Sequence, residues 1–225
     1  MRRFVRDNSL SLFFLAIFLA TLVGQAVAGH ALENQELSEH GAPSVGFWSY
    51  VTSSAFGRAV MENWQSEYLQ FALLALATVW LLQKGSPESK ELDKSGTESD
   101  AVQRVGEHAR ASSPAPAKWG DWRTTLYSNS LIIVMGLIFL GSWFAQSVTG
   151  WTEFNDEQRL HGETTVSWPS YVGSATFWEG TLQNWQSEFL AVGSFAVLTI
   201  FLRQRGSPES KPVGAPTGDA TGKEG

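Results

Sequence analysis

The chain is organised around Asn63-Trp64-Gln65-Ser66-Glu67, a pentapeptide that returns unchanged as Asn184-Trp185-Gln186-Ser187-Glu188, 121 positions later. The same offset overlays residues 8–90 on residues 129–211 without a gap, with 35 identical residues among 83 positions. A self-match of this length indicates a duplicated structural unit. Each pentapeptide leads directly into an apolar run, so each copy places one carboxylate at the edge of a hydrophobic segment.

The ungapped match extends through the loops, which are segments that usually tolerate insertions. His-Gly recurs at 40–41 and 161–162, and Gly-Ser-Pro-Glu-Ser-Lys recurs at 85–90 and 206–211. Because these loops keep both their length and their ends, we predict that they are folded.

Two segments of 20 residues, Ser9 to Ala28 and Ser130 to Thr149, contain no charge. Each would form about 30 Å of helix, which matches the hydrocarbon core of a bilayer. The runs after the pentapeptides are shorter, and they span only if each helix starts near Asn63 or Asn184 and takes the glutamate inside. We therefore predict an all-α integral membrane protein with four transmembrane helices, arranged as two parallel pseudosymmetric hairpin repeats with interfacial helices in the outer loops.

The N-terminus also has features of a cleaved secretory signal, because Arg2, Arg3 and Arg6 precede an apolar stretch that ends in Ala26-Val27-Ala28. The uncharged stretch is longer than the usual core of a signal, and its equivalent lies in mid-chain, so we expect the first helix to be retained. The chain has no cysteine, which excludes disulfides and thiolate metal sites.

Lysine and arginine are unevenly distributed between the predicted spans. Of the 16 in the chain, 14 lie before the first span, between the second and third, or after the fourth, and the other two are Arg58 and Arg159. By the positive-inside rule both termini and the central linker are cytoplasmic, while residues 29–62 and 150–183 face outward. The two copies then insert with the same polarity, as parallel repeats.

The predicted organisation has a first two-helix membrane repeat at 1–90 and a second at 123–211. Residues 91–122 are rich in Ser, Glu, Lys, Ala and Pro, which is typical of a flexible linker. Residues 212–225 are predicted to be a disordered cytoplasmic tail on the same grounds.

Each outer loop contains a glutamate and a histidine at i, i+4 spacing, which on a helix would offer a carboxylate and an imidazole to a metal ion. These weak candidates are Glu36 with His40 and Glu157 with His161. Two ligands do not complete a zinc shell, so we prefer a solvated helix face that ends at the following glycine, and we predict no metal and no other cofactor. His30 and His108 have no counterparts and are predicted to be surface residues.

Several residues mark the predicted ends of helices. Ser53 and Ser174 stand three residues before a phenylalanine and suit N-caps, so a short interfacial helix is predicted to start there and lead into each pentapeptide. Lys84-Gly85 and Arg205-Gly206 are predicted to close the second span with a cation and a C-cap glycine. Tryptophans near the predicted membrane boundaries are typical of an aromatic belt. They are Trp48, Trp64, Trp80, Trp119, Trp122, Trp151, Trp168, Trp178 and Trp185.

The first helix of each copy has a glutamine near the same membrane edge as the pentapeptide, which predicts two polar clusters. They consist of Gln25, Asn63 and Glu67, and of Gln146, Asn184 and Glu188. A carboxylate at a helix N-terminus is stabilised by free backbone amides and by the helix dipole, which is a structural role. Carboxylates within membranes also handle ions or protons, and their depth in the membrane distinguishes the two interpretations.

The paired helices with the Asn-Trp-Gln-Ser-Glu and Gly-Ser-Pro-Glu-Ser-Lys blocks resemble an uncharacterised bacterial membrane-protein family known only as a domain of unknown function. The resemblance covers nearly all of the chain except the linker and the tail. It implies a bacterial inner-membrane protein, and it transfers no activity to any residue.

The sequence contains no recognisable catalytic constellation, so we expect a non-enzymatic protein that organises the cell envelope or scaffolds partners. The expected partners are the lipid bilayer and either further copies of the chain or other envelope proteins, without nucleic acid. The alternative is a small cation or proton channel or transporter that uses Glu67 and Glu188. An enzyme acting on lipid or peptidoglycan is least favoured, because the Glu and His pairs supply neither a nucleophile nor a metal shell.

Overall fold

The computed structural model describes residues 2–219 and is all-helical, which confirms the predicted all-α class. Within these residues there are nine α-helices, two short 3₁₀ helices at Gly106–His108 and Ala115–Lys118, and no strand. The α-helices are α1 (Arg2–Asp7), α2 (Ser9–Glu39), α3 (Phe47–Val51), α4 (Ser54–Ala77), α5 (Asp100–Gln103), α6 (Trp122–Ser128), α7 (Ser130–Leu160), α8 (Trp168–Val172) and α9 (Ala175–Phe201).

Two helices of the described chain, α2 and α7, are long and apolar enough to cross a membrane. Each has 31 residues and contains one of the uncharged segments, and large side chains such as Phe13 and Phe14 are 59% exposed. Helices α4 and α9 lack an apolar segment of sufficient length, because polar and charged residues of the pentapeptides lie within them. The prediction of four spans is therefore not confirmed by length and composition.

Both long helices continue well beyond the uncharged segments and end in the same way. The N–H of Ala42 bonds to the carbonyl of Leu37 at 2.8 Å, and the N–H of Gly41 bonds to that of Ser38 at 3.1 Å. These bonds define a Schellman motif, which needs a left-handed residue after the cap, and Gly41 has a φ of 69°. The second copy repeats the motif, with a φ of 72° at Gly162. The predicted helix ends are confirmed.

The serine N-caps are also confirmed. The Oγ of Ser53 accepts a hydrogen bond from the N–H of Phe56 at 3.3 Å, and that of Ser174 accepts one from Phe177 at 3.3 Å. These caps start α4 and α9, which then run without a break through the pentapeptides, and the separate short helices α3 and α8 precede them.

The predicted helix start near Asn63 and Asn184 is therefore wrong. Ser54, the first residue of α4, stands thirteen positions before Glu67, and α9 begins equally far before Glu188. A helix dipole acts within about one turn of the end, so these glutamates do not cap a helix N-terminus.

The predicted C-caps are wrong as well, because α4 ends at Ala77 and α9 at Phe201, before Gly85 and Gly206. The two glycines have φ values of 83° and 85° and open a separate turn. The turn that follows α4 is closed by the linker, since the N–H of Gly96 bonds to the carbonyl of Val79 at 2.8 Å. The end of α9 is closed by the guanidinium of Arg203, which donates to carbonyls of the last turn.

The chain forms two compact units, and each contains parts of both repeats. The first is Met1–Met61 with Phe144–Phe177, and its core includes Ala26, Tyr50, Phe56, Tyr171 and Phe177. The second is Glu62–Trp143 with Trp178–Gly225, and Gln65, Ser66, Ser86, Thr181 and Lys211 are its most deeply buried side chains.

The predicted linker and tail contain local structure where they are described. Residues 91–122 include α5 and both 3₁₀ helices, and residues 212–219 form turns. Residues 220–225 of the predicted tail lie outside the described residues. The domain boundaries and the flexibility of both segments stay predictions.

Candidate functional site

In the first unit, an asparagine fastens the loop that follows each long helix to that helix. The Asn34 side chain accepts from the N–H of Val45 at 2.7 Å and donates to the carbonyl of the same residue at 3.1 Å. Asn155 holds Val166 with the same two bonds, at 2.8 and 3.0 Å. Both hydrogen-bonding groups of one loop residue are thus satisfied by one side chain, which confirms that these loops are folded.

His30 is part of this attachment, so the prediction of a simple surface residue is wrong. Its Nε2 lies 2.8 Å from the carbonyl oxygen of Val45, and its ring contacts Phe47 and Tyr50 edge-on or tilted. The equivalent position in the second copy is Trp151, whose indole N–H donates to the carbonyl of Val166 at 2.7 Å. A ring nitrogen performs the same task in both copies although the residue type differs.

The C-terminal ends of α2 and α7 meet through the two recurring histidines. The rings of His40 and His161 have their centroids 4.9 Å apart at an interplanar angle of 79°. Each Nδ1 bonds to the backbone carbonyl one turn earlier, to that of Glu36 at 2.9 Å and to that of Glu157 at 2.8 Å. The structure therefore pairs imidazole with imidazole between the copies. Within residues 2–219, no three His, Asp or Glu side chains are grouped to hold a metal ion.

Acidic side chains surround these helix ends. Glu33 lies close enough to Glu36, Glu153 and Asp156 for their charges to repel, and Glu157 is similarly affected by Glu153 and Glu36. Arg58 of α4 offsets part of this charge, because its guanidinium forms a two-pronged ion pair with Glu153. The Glu153 side chain is 16% exposed in this pair.

In the second unit, the first pentapeptide forms a contact between α4 and α9. Gln65 is completely buried, and its Nε2 donates to the carbonyl of Glu62 at 3.1 Å. Its Oε1 accepts the indole N–H of Trp185 at 2.7 Å. The neighbouring Ser66 is 1% exposed and donates to the carbonyl of Asn63 at 2.9 Å. These buried polar groups all have partners, which makes the contact favourable in an apolar environment.

A second bond joins the same two helices. The Nδ2 of Asn184 donates to Oε1 of Glu62 at 3.2 Å and to the carbonyl of Gly180 at 2.9 Å. A Cβ at Gly180 would lie 2.5 Å from the Glu62 oxygen, so the absence of a side chain there permits the approach. Glu62 has glutamine at the equivalent position 183, and the self-match therefore gave no indication of this contact.

The residues of the predicted polar clusters are divided between the units. Gln25 is half-buried and Gln146 is buried in the first unit. In the second unit Asn63 and Glu67 are exposed, and Glu188 is half-buried. The two clusters stay predictions, whereas Gln65, Trp185 and Glu62, which the predicted clusters omitted, form defined contacts within one unit.

The Gly-Ser-Pro-Glu-Ser-Lys blocks of the second unit form two similar hydrogen-bonded turns. In the first, Ser86 Oγ accepts from the N–H of Glu88 at 3.2 Å and Ser89 Oγ accepts from the N–H of Gln83 at 2.8 Å. The equivalent bonds in the second block measure 3.2 and 2.9 Å. The identical sequence therefore produces an identical local structure.

The lysine that ends each block organises the chain that follows it. Lys211 is 2% exposed, and its ammonium donates to the carbonyls of Pro216, Thr217 and Asp219 at 3.4, 2.9 and 3.2 Å. Lys90 donates to the carbonyl of Gly96 at 3.1 Å and pairs with Glu98 at 3.1 Å. In both copies, the backbone after the block forms a loop around the lysine ammonium group.

The glutamates of the two blocks interact with each other. Partial burial, repulsion from Glu209 and a hydrogen bond with Glu209 all raise the pKa of Glu88 above its ordinary value. Two carboxyl groups that hydrogen-bond must share a proton, so this contact favours the protonated form of Glu88.

Comparison with known proteins identifies one family. The model of the domain of unknown function DUF6766 matches residues 1–223, nearly the whole chain. No curated protein and no solved structure matches the chain. The chain therefore belongs to the family of the domain of unknown function DUF6766.

Proposed function

We propose that this chain is a non-enzymatic integral protein of the bacterial inner membrane, with four crossing helices in two parallel hairpins, and that it organises or scaffolds components of the envelope. Two helices able to cross a membrane, the duplicated sequence and the contacts between the repeats support this proposal.

The contact between His40 and His161 supports an arrangement in which the C-terminal ends of α2 and α7 share one side of the membrane. If both helices cross, they cross in the same direction, so the chain must return in between. From residue 41 to 129, all of it described, α4 is the only helix longer than seven residues. This supports a crossing by α4 and, because the unit is duplicated, by α9.

The length of α4 and two of its polar residues are compatible with such a crossing. The helix has 24 residues, or about 36 Å, which exceeds a hydrocarbon core of about 30 Å. Gln65 and Ser66 are buried in protein and hydrogen-bonded, so neither needs water or contacts lipid. Polar side chains bonded between helices are a usual means of association in membranes.

Charge gives the orientation of this arrangement. The segment between α4 and α7 and the two terminal segments outside α2 and α9 contain 14 of the 16 lysines and arginines, so they belong on the cytoplasmic side. Tryptophans with exposed rings, such as Trp48, Trp80 and Trp122, suit the two membrane interfaces.

The observation that supports a scaffold is that residues of the pentapeptides form hydrogen bonds between helices. Gln65, Trp185 and Asn184 are engaged in bonds between α4 and α9, so the most distinctive motif of the chain holds helices together. The outer loops are fastened by asparagine at both copies and offer a folded external surface.

The alternative, a small cation or proton channel or transporter, is favoured by one observation. Glu67 and Glu188 lie close enough for their charges to interact, which brings together the two carboxylates of the pentapeptides. Paired carboxylates within a membrane occur in ion and proton pathways.

Reporter fusions test the topology. Alkaline phosphatase, which is active only outside the cytoplasm, should be active when inserted between Glu33 and Pro43 and inactive when fused after Lys90. Fusions after Lys211 should also be inactive. Activity after Lys90 would contradict the crossing by α4.

Flux measurements separate the two functions. The purified chain in proteoliposomes should pass neither protons nor K⁺ or Na⁺ above the rate of empty vesicles. Ion flux that disappears in the Glu67→Gln, Glu188→Gln double variant, with Glu163→Gln as the unaffected control, would establish the alternative and overturn the scaffold.

A further inference from the structure

The ends of α2 and α7 hold two histidines in a defined geometry. Each histidine is the C-cap residue of a Schellman motif, with a left-handed glycine directly after it. Four backbone hydrogen bonds fix these two helix ends, at 2.7 to 3.1 Å. The backbone positions of His40 and His161 are therefore set by local structure in both copies.

The hydrogen bonds of the two rings determine which ring nitrogen carries the hydrogen. A carbonyl oxygen only accepts, so the Nδ1 atoms at 2.9 and 2.8 Å from the carbonyls of Glu36 and Glu157 must carry the hydrogen. In the neutral ring this leaves a lone pair on each Nε2. Metal-binding histidines usually have this arrangement, in which the other nitrogen donates to a carbonyl or carboxylate.

The separation of the rings suits a shared metal ion. With Zn–N bonds of about 2.0–2.1 Å, each ring centroid would lie about 3.2 Å from the metal, and two ligands near the tetrahedral angle would have centroids about 5 Å apart. The rings of His40 and His161 are 4.9 Å apart, and both residues are exposed to incoming ions.

The surrounding charge favours a cation. The acidic side chains of these helix ends are Glu33, Glu36, Glu39, Glu153, Asp156 and Glu157. The nearby cations are Arg58, which pairs with Glu153, and Arg159, which pairs with Asp156. A net negative surface raises the local concentration of cations.

We propose that His40 and His161 together form a site for a divalent transition-metal ion such as Zn²⁺ or Cu²⁺, with one imidazole from each repeat. Because the described residues hold no group of three ligands, water completes the coordination shell. The site exists only where the two repeats meet, so a bound ion links the ends of the two long helices. Its affinity is lower than that of a four-ligand structural site, so its occupancy follows the concentration of free metal ion.

Titration calorimetry tests the site. The full chain without a histidine tag, in detergent micelles and freed of metal by chelator, should bind one Zn²⁺ per chain at pH 7.5. His40→Ala and His161→Ala should each weaken binding by at least about 10-fold, while His108→Ala should bind as the wild type. Binding should also weaken at pH 5.5, since protons compete with the metal.

Copper resonance gives a second readout, which identifies the ligand atoms directly. The electron paramagnetic resonance spectrum of the chain with one equivalent of Cu²⁺ should show coupling to two imidazole nitrogens, and to one in either alanine variant. A spectrum without imidazole coupling, equal Zn²⁺ affinity in wild type and both variants, or one metal per two chains would each overturn the proposal.

Discussion

The two Gly-Ser-Pro-Glu-Ser-Lys blocks have identical sequences, and so do the two Asn-Trp-Gln-Ser-Glu pentapeptides. The blocks also share their hydrogen bonds, whereas the pentapeptides differ in burial. Both blocks form the same turn with the same serine bonds, which differ by about 0.1 Å in length at most. The pentapeptides are both helical, yet Gln65 and Ser66 are fully buried while Gln186 and Ser187 are exposed.

The difference follows from where each motif finds its partners. Every bond of a block turn joins residues no more than six positions apart, so the block determines its own structure. A pentapeptide within a helix depends on what packs against it, and the environments of the two copies differ at substituted positions, such as Glu62 and its equivalent glutamine at 183. Identity between copies therefore predicts shared local structure and does not predict shared contacts.

The largest effect is expected when the buried glutamine is removed. Gln65→Ala leaves a cavity and an indole N–H of Trp185 without its acceptor, and should lower the free energy of unfolding by about 2–4 kcal/mol. Gln186→Ala, at an exposed position, should change it by no more than about 0.5 kcal/mol. Chemical unfolding in detergent followed by tryptophan fluorescence measures both, and equal losses would remove the asymmetry between the pentapeptides.

Replacement of the lysine that ends each block should also destabilise the two copies unequally, with the larger loss at the buried Lys211. Lys211→Met keeps the stem and deprives three carbonyls of a charged donor, which should cost about 2–3 kcal/mol locally. Lys90→Met removes one carbonyl bond and a partly exposed ion pair, and should cost about 1 kcal/mol. Hydrogen exchange should accelerate at residues 207–219 in the first variant, and an equal acceleration at 86–98 in the second would contradict the difference.

The block serines should behave alike, which tests the symmetric half of the comparison. Ser89→Ala and Ser210→Ala each remove the acceptor for one backbone N–H and should each lower stability by about 1 kcal/mol. Ser112→Ala in the linker serves as the control and should have no effect. Thermal unfolding of the three variants is the measurement, and a loss confined to one block would show that its surroundings matter more than its own bonds.

The smallest effect concerns the carboxyl pair that joins the blocks. The raised pKa of Glu88 means that the folded protein holds this proton more tightly than the unfolded chain does. Stability attributable to Glu88 is therefore present at low pH and is lost as the pH rises from about 4.3, the value of a free glutamate, through the raised pKa.

Glu88→Gln should consequently be more stable than the wild type at pH 7.5, by less than about 1 kcal/mol, and should lose that advantage at pH 4. Glu163→Gln, at an exposed position, is the control variant. Melting temperatures in detergent across this pH range decide the matter, and a variant that is less stable than the wild type at pH 7.5 would contradict repulsion between the blocks.

Features with a local signal can be predicted from the sequence. The serine caps before Phe56 and Phe177 and the glycines after His40 and His161 each act within one turn of helix, and all four are present in the structure. The start of α4 cannot be predicted from its apolar content, because the helix begins in polar sequence thirteen residues before Glu67.

The contacts between the two copies could not be predicted from the sequence for a different reason. The pairing of His40 with His161 and of Gln65 with Trp185 depends on how two distant segments pack, and neither spacing nor identity encodes that arrangement. The self-match does not predict the role of His30, because its counterpart is tryptophan, although both rings form the same hydrogen bond.

The ion pair of Arg58 with Glu153 has a consequence for the two halves of the chain as separate molecules. The equivalents of these residues are Glu179 and Leu32. Two first halves that associated in the same way would set Arg58 against leucine, and two second halves would set Glu179 against Glu153, a repulsion between like charges. We expect co-expressed halves to form heterodimers, because each half pairs more favourably with the other half than with a second copy of itself.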